Sequence, residues 1–180
     1  MTTGIWSRYC GLATFGFGTA GVAIYLVMIN ITLAHLKALS GQAPFDMRPF
    51  GYGAQEAAAL LQALGKKGRV YYLTRQIPLD TVYPALLALT LIFAIYRFRR
   101  DLPDSKLARV GVWASVGVAI LDYAENLGVA AMIVSWPELP DHLVHATSAV
   151  SVAKSGTTTF AVLVVLLTAA NWVAQTRRRR

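Results

Sequence analysis

The chain has 180 residues, of which 56% are hydrophobic, and its 17 Lys and Arg against 9 Asp and Glu give a formal net charge of +8. The hydrophobic residues are gathered into long runs, a pattern that excludes an ordinary soluble domain. The basic residues flank these runs, as they do at the cytoplasmic ends of membrane-spanning helices, so we expect membrane lipids rather than nucleic acid as partners.

The first apolar run covers about residues 11–36 and is longer than the hydrophobic core of a secretory signal, so it predicts an uncleaved transmembrane helix. Gly16, Gly18 and Gly21, with Ala20, give this helix a face of small residues that suits close packing against another helix. The glycines also match a phosphate-loop pattern. We reject that interpretation, because no strand precedes them and no acidic residue follows at the required distance.

A polar region, 37–77, comes next. Its first part is rich in Gly and Pro and predicts an irregular loop. Ala57, Leu60, Leu61 and Leu64 then recur at helical spacing and predict a short amphipathic helix, which a Gly-Lys-Lys-Gly sequence should break. Two positions suit such a helix equally: the lipid headgroups, given the basic residues nearby, or the mouth of a helical bundle.

Three further apolar runs predict membrane crossings at about 78–96, 108–136 and 143–174. Together with the crossing at 11–36, they predict an all-α fold. We expect one integral membrane domain, 1–180, built as a four-helix transmembrane bundle with a short amphipathic helix in the first extracytoplasmic loop.

The distribution of Lys and Arg predicts the orientation. The segment between the second and third crossings and the C-terminal end are strongly basic, whereas the segment between the third and fourth crossings has no Lys or Arg. Both termini should therefore lie in the cytoplasm of a cell whose plasma (bacterial inner) membrane holds the protein. The first loop is also basic, which conflicts with this orientation, but long loops follow the rule less strictly. Besides membrane lipids, the candidate partners are another membrane protein or a second copy of this chain in a homo-oligomer.

The sequence LDYAEN in the third run places charges inside an apolar segment. Asp122, Glu125 and Asn126 follow the spacing i, i+3, i+4 and share one helix face. A charge in hydrocarbon costs at least about 2.5 kcal/mol, so it must be paired, protonated or in contact with water. Counting residues along each helix brings Asp80 and Lys154 to a similar depth, so these groups should meet.

Structural and functional interpretations of this centre remain open. In the structural interpretation, Lys154 would neutralise Asp122 or Glu125, and Asn126 would satisfy the remaining acid. Asp80 would be an N-cap. Functionally, three acids against one lysine leave an excess of acid. The candidates for ligand binding or proton exchange are Asp122, Glu125, Asn126, Asp80, Tyr83 and Lys154, which Asn30 could join.

The loop before the fourth crossing offers a metal-binding pattern, since His142 and His145 stand at i, i+3 with Glu138 and Asp141 nearby. An exposed loop end explains the same residues. We therefore expect no metal and no cofactor.

A series of residues along most of the chain carries a resemblance to a known family. These residues are Gly51-Tyr52, Ala63-Leu64-Gly65, Gly68-Arg69, Tyr72, Gln76, Leu79-Asp80, Tyr83-Pro84, Asp122 to Asn126 and Lys154. In them the chain resembles an uncharacterised family of bacterial four-helix integral membrane proteins, which implies an architecture and no activity. In architecture alone, the chain is also similar to the emopamil-binding and sterol-isomerase group.

Three functions fit these features. The carboxylate/lysine centre could bind a small amphiphilic or lipid-like ligand, with or without proton transfer. The protein could instead be an accessory or assembly subunit whose buried charges lock the bundle. An ion or proton pathway is a further alternative, although the sequence shows no inverted repeat of the transporter type. Whether the protein is an enzyme is left open.

Overall fold

A computed structural model describes residues 2–99 and 106–178, and within these ranges the regular structure is entirely helical. The helices are α1 (Thr2–Val27), α2 (Leu33–Ser40), α3 (Ala54–Tyr71), α4 (Ile77–Arg99), α5 (Lys106–Ser135) and α6 (Asp141–Arg178). The expected all-α fold is therefore confirmed.

Two pairs of helices are joined end to end by π-helical turns. The turn Met28–Thr32 connects α1 to α2, and the turn Tyr72–Gln76 connects α3 to α4. Each turn widens the helix locally without ending it. The described residues thus form four long rods, α1–α2, α3–α4, α5 and α6, each long and apolar enough to cross a membrane. These rods indicate a multi-pass membrane protein.

Local sequence explains where the helices end. α2 stops at Gly41, whose φ of 68° is the left-handed conformation that commonly closes a helix. α3 begins after Gly53, and the Gly53 N–H donates a hydrogen bond to Glu56 Oε2 at 2.8 Å, which caps the first turn. The irregular segment between them holds one 3-10 turn, Phe45–Met47.

The second rod lies in the middle of the bundle, where α4 packs against α1, α5 and α6. α1 packs along α4 through part of its small-residue face. A Cβ on Gly18 would lie 3.4 Å from Thr90 Cγ2, and one on Gly21 would lie 3.6 Å from Leu86 Cβ. The packing prediction is therefore confirmed for these two glycines. It is wrong for Gly16, whose Cβ would meet nothing within 4 Å.

The amphipathic helix predicted in the loop is the first part of α3. Ala57, Leu60, Leu61 and Leu64 are buried in a core that also contains residues of α5 and α6. This burial supports the position over the end of the bundle. The predicted break is a kink, because Gly65 adopts φ 58° and ψ −177°, a conformation that only glycine tolerates well, and the helix continues to Tyr71.

Candidate functional site

Lys154 of α6 lies between two acids of α5. Its Nζ is 3.7 Å from Asp122 Oδ1 and forms a closer ion pair with Glu125 Oε2. Asp122 and Glu125 are buried, with 4% and 2% of their surface exposed. Because the acids stand one helical turn apart on the same face, a single ammonium group reaches both. The structure therefore brings these three predicted residues together.

Asn126 has a different role from the expected one. Its Nδ2 donates a hydrogen bond to the main-chain oxygen of Asp80 at 2.9 Å. The residue four positions after Asp80 is Pro84, which has no N–H to donate to that oxygen. Asn126 therefore supplies the hydrogen bond that the proline removes, and the prediction that it satisfies the acids is wrong.

Asp80 is an interior residue of the second rod. The turn Tyr72–Gln76 leads into α4 without a free helix N-terminus, so the N-cap interpretation is wrong. Asp80 is 3% exposed, and its Oδ2 has no hydrogen-bond donor in the described part of the chain. The charges of Asp46, Asp122 and Lys154 act on its carboxyl group.

Asp46 is a fourth acid of this region, and the sequence analysis missed it. It belongs to the 3-10 turn of the first loop, which inserts into the end of the bundle. The Tyr72 hydroxyl donates a hydrogen bond to Asp46 Oδ2, and Gln76 Nε2 donates to Oδ1 at 3.5 Å. The Asp46 carboxyl also faces that of Asp80. An irregular loop has no periodicity from which the direction of such a side chain can be predicted.

Gln76 connects the loop to both π-helical turns. Besides bonding Asp46, it accepts a hydrogen bond on Oε1 from the hydroxyl of Thr32. Thr32 ends the first π-helical turn and Gln76 ends the second. Both side chains are buried. π-helical turns are frequent at functional sites, where they reposition side chains, and this pair holds the Asp46 carboxylate.

The first loop also packs onto α6. The Tyr52 N–H donates a hydrogen bond to Ser148 Oγ at 2.8 Å, and a Cβ on Gly51 would lie 2.7 Å from the same oxygen. The Tyr52 hydroxyl is buried near Ser151 and Glu125. Burial raises the pKa of this hydroxyl above its usual range, so it stays neutral at physiological pH.

No protein-family model, curated protein or solved structure matches the chain.

We call Asp46, Asp80, Asp122 and Glu125, with Lys154, the acid cluster. The four acids come from the loop, α4 and α5, and the one lysine among them, which pairs with Asp122 and Glu125, comes from α6. Such an excess of carboxyl groups requires protons or a further cation.

Tyr83 lies at the edge of the acid cluster. It follows Asp80 by about one helical turn and is half-buried. The charges of Asp80 and Asp122 act on its hydroxyl group. Its ring stacks on that of Tyr25 of α1, with 5.5 Å between the ring centroids. Tyr25 is 45% exposed on the outer surface of the bundle. The two rings therefore connect the cluster to the surface that would face lipid.

Three other candidate residues lie apart from the cluster. Asn30 is exposed and donates a hydrogen bond to the main-chain oxygen of Leu26 at 2.9 Å, so the expectation that it joins the acids is wrong. His142 and His145 are exposed near the start of α6. The described residues contain no group of three or more His, Cys, Asp or Glu that could hold a metal ion.

Proposed function

We propose that this membrane protein uses the acid cluster to bind the positively charged head group of a small amphiphilic or lipid-like ligand. The observation that supports binding most directly is the excess of four acids over one lysine, with Asp80, Asp122 and Glu125 buried and Asp46 partly buried. Carboxylates at membrane depth are costly unless a cation or a proton neutralises them. A cationic head group would supply the missing positive charge.

The aromatic pair at the edge of the cluster supports an amphiphile over a fully polar ligand. Tyr83 and Tyr25 lead from the acids to the outer surface, where Val22 and Leu26 are exposed. A shallow, open groove of about 520 Å³ on α1 is lined in part by Val22 and Leu26. The apolar tail would lie in this groove among the lipids, and the tyrosine rings would attract the passing cation.

Proton exchange is compatible with the same arrangement. Carboxyl groups are effective general acids and bases, and the cluster holds several within one buried site. A ligand with an ionisable head group would exchange its proton with one of them.

We further propose that both termini lie in the cytoplasm and that the membrane is the bacterial inner membrane. The basic residues between α4 and α5 and at the C-terminal end support this orientation. The acid cluster would then lie in the outer half of the bilayer, beneath the first loop.

A second candidate is a non-catalytic accessory or assembly subunit. Lys154 joins two acids of a neighbouring helix, and a buried pair of this kind can fix the register of two helices. This function explains Lys154, Asp122 and Glu125. It leaves Asp46 and Asp80 without a role, which is why we favour ligand binding.

A panel of twelve-carbon amphiphiles tests the proposal. The purified protein in a neutral detergent would be titrated with dodecyltrimethylammonium, dodecylammonium, dodecanol and dodecyl sulfate, and its melting temperature followed. At least one cationic member should raise the melting temperature saturably, and Asp122→Asn should weaken that effect because Asp122 contributes charge to the cluster. The exposed acid variant Glu138→Gln is the matched control. Equal responses to all four amphiphiles would refute the proposal.

A further inference from the structure

We propose that Asp46 and Asp80 form the subsite for the charged group of the ligand, and that this group is an ammonium carrying at least one N–H, as in a primary or secondary amine. This inference rests on the function proposed above and makes it specific. It assigns a binding role to a loop residue that no sequence pattern singled out.

The acid cluster divides into two halves that differ in how their charge is balanced. Asp122 and Glu125 share the ammonium of Lys154, whose Nζ is 3.7 Å from Asp122 Oδ1 and closer to Glu125 Oε2. In residues 2–99 and 106–178, neither Asp46 nor Asp80 forms an ion pair with a basic side chain, and Lys154 acts on Asp80 only from a longer distance. The Asp46–Asp80 half therefore holds the two carboxyl groups of the cluster that are not paired with a basic side chain of the described residues.

The hydrogen bonds at this half decide which kind of cation fits. Asp46 already accepts hydrogen bonds on both oxygens, from Tyr72 and from Gln76. The Asp80 carboxyl lies within hydrogen-bond reach of the Asp46 carboxyl, so one proton can bridge the two acids, but its buried Oδ2 accepts a hydrogen bond from no N–H or hydroxyl of the described residues. A quaternary ammonium group would bring charge and no hydrogen to this oxygen. An ammonium with an N–H would bring both, and such charge-assisted hydrogen bonds are the strong ones.

The surroundings favour an organic cation over an inorganic one. Hard metal ions in proteins take about six or more oxygen ligands, and both oxygens of Asp46 are engaged by the chain itself. Aromatic rings stand beside the pair: the Phe45 centroid is 4.8 Å from that of Tyr52 and 6.2 Å from that of Tyr72. Rings of this kind accommodate an ammonium group with attached carbons.

The decisive experiment compares dodecylammonium with dodecyltrimethylammonium, which have the same chain and charge but differ in N–H donors. Binding to the purified protein in a neutral detergent would be measured by titration calorimetry. We expect the dissociation constant of dodecylammonium to be lower by about tenfold or more, as one charge-assisted hydrogen bond would give. Asp80→Asn and Asp46→Asn should each remove this preference, whereas Glu138→Gln should retain it.

The possible failures are distinguishable. If the wild-type protein binds both cations equally and Asp80→Asn binds them like the wild type, the subsite is refuted and the proposed function stands. If neither cation binds better than dodecanol, both proposals fail. The ligand comparison uses the wild-type protein, so a variant that fails to fold does not prevent the test. An inorganic cation site would overturn the inference. It would be identified if sodium chloride stabilises the protein more than choline chloride does, Asp80→Asn abolishes this difference, and dodecylammonium has no effect.

Discussion

Gly128 of α5 and Thr147 of α6 lie so close together that a Cβ on Gly128 would fall 2.6 Å from Thr147 Cγ2. Glu125 precedes Gly128 by three residues and Lys154 follows Thr147 by seven, so each helix presents both of its residues on one face. The close approach therefore helps to fix the register at which Lys154 meets the acids of α5.

Gly128→Ala should lower the free energy of unfolding by about 1–3 kcal/mol, because the added methyl group forces Thr147 to move. Adding Thr147→Ala should recover only part of this loss, since the Thr147 Cβ would remain 2.9 Å away. Gly156→Ala on α6 is the matched control, with nothing within 4 Å of the added atom. Unfolding in detergent measures all three, and equal losses at both glycines would contradict the contact.

Asn126→Ala should destabilise the protein by about 0.6–2 kcal/mol, because it leaves the main-chain oxygen of Asp80 without a donor. Pro84→Ala restores an N–H at the right position, so Asn126→Ala should cost less in that background. Asn30→Ala is the control, since Asn30 bonds a main-chain oxygen at an exposed position. An unchanged cost of Asn126→Ala beside Pro84→Ala would show that Asn126 does not compensate for the proline.

The sequence predicted the fold well because hydrophobic runs and helical periodicity are local signals. Counting residues along the predicted helices also brought Lys154 to the level of Asp122 and Glu125, as the structure has them. Both inferences use only the rise of a helix and the cost of charge in an apolar environment. A residue inside a long helix is therefore predictable in position, and in part in its partners.

The rest of the site depends on contacts between distant segments. Asp46 belongs to an irregular loop, and its place in the acid cluster depends on how the loop folds back over the bundle. The π-helical turns shift the faces of the first two rods, so a uniform helical pattern misplaces the residues beyond each turn. Asn30, the third residue of the first of these turns, is exposed at the surface.

The proposed orientation predicts a pattern of thiol labelling in intact cells. Cys10→Ala removes the native cysteine, and single cysteines are then introduced at Phe50, Arg177 and Arg100, the last of which lies outside the described residues. A membrane-impermeant maleimide should label Phe50→Cys, since Phe50 is 95% exposed in the first loop. It should reach the other two only after permeabilisation. The opposite pattern would invert the topology and place the acid cluster in the cytoplasmic half.

The final prediction separates a structural lock from a binding site. Lys154→Met should destabilise the protein by about 3–5 kcal/mol, because it leaves the buried Asp122 and Glu125 carboxylates without their cation. Combining it with Glu125→Leu and Asp122→Asn should recover much of the stability, since the unpaired charges are then gone. Melting temperatures in detergent measure both effects, and a stable Lys154→Met variant would show that the ion pairs contribute little.

Asp80→Asn tests the binding role separately from the structural lock, because Asp80 forms no ion pair with Lys154 and the change leaves the lock intact. As a lock alone, the protein should tolerate this change, and a deletion strain carrying Asp80→Asn should behave like one carrying the wild type. As a binding site, it should keep its melting temperature and yet fail to complement the strain, because the change removes the charge that holds the ligand. Full complementation by both Asp80→Asn and the triple variant would leave the cluster without a binding role and favour an assembly subunit.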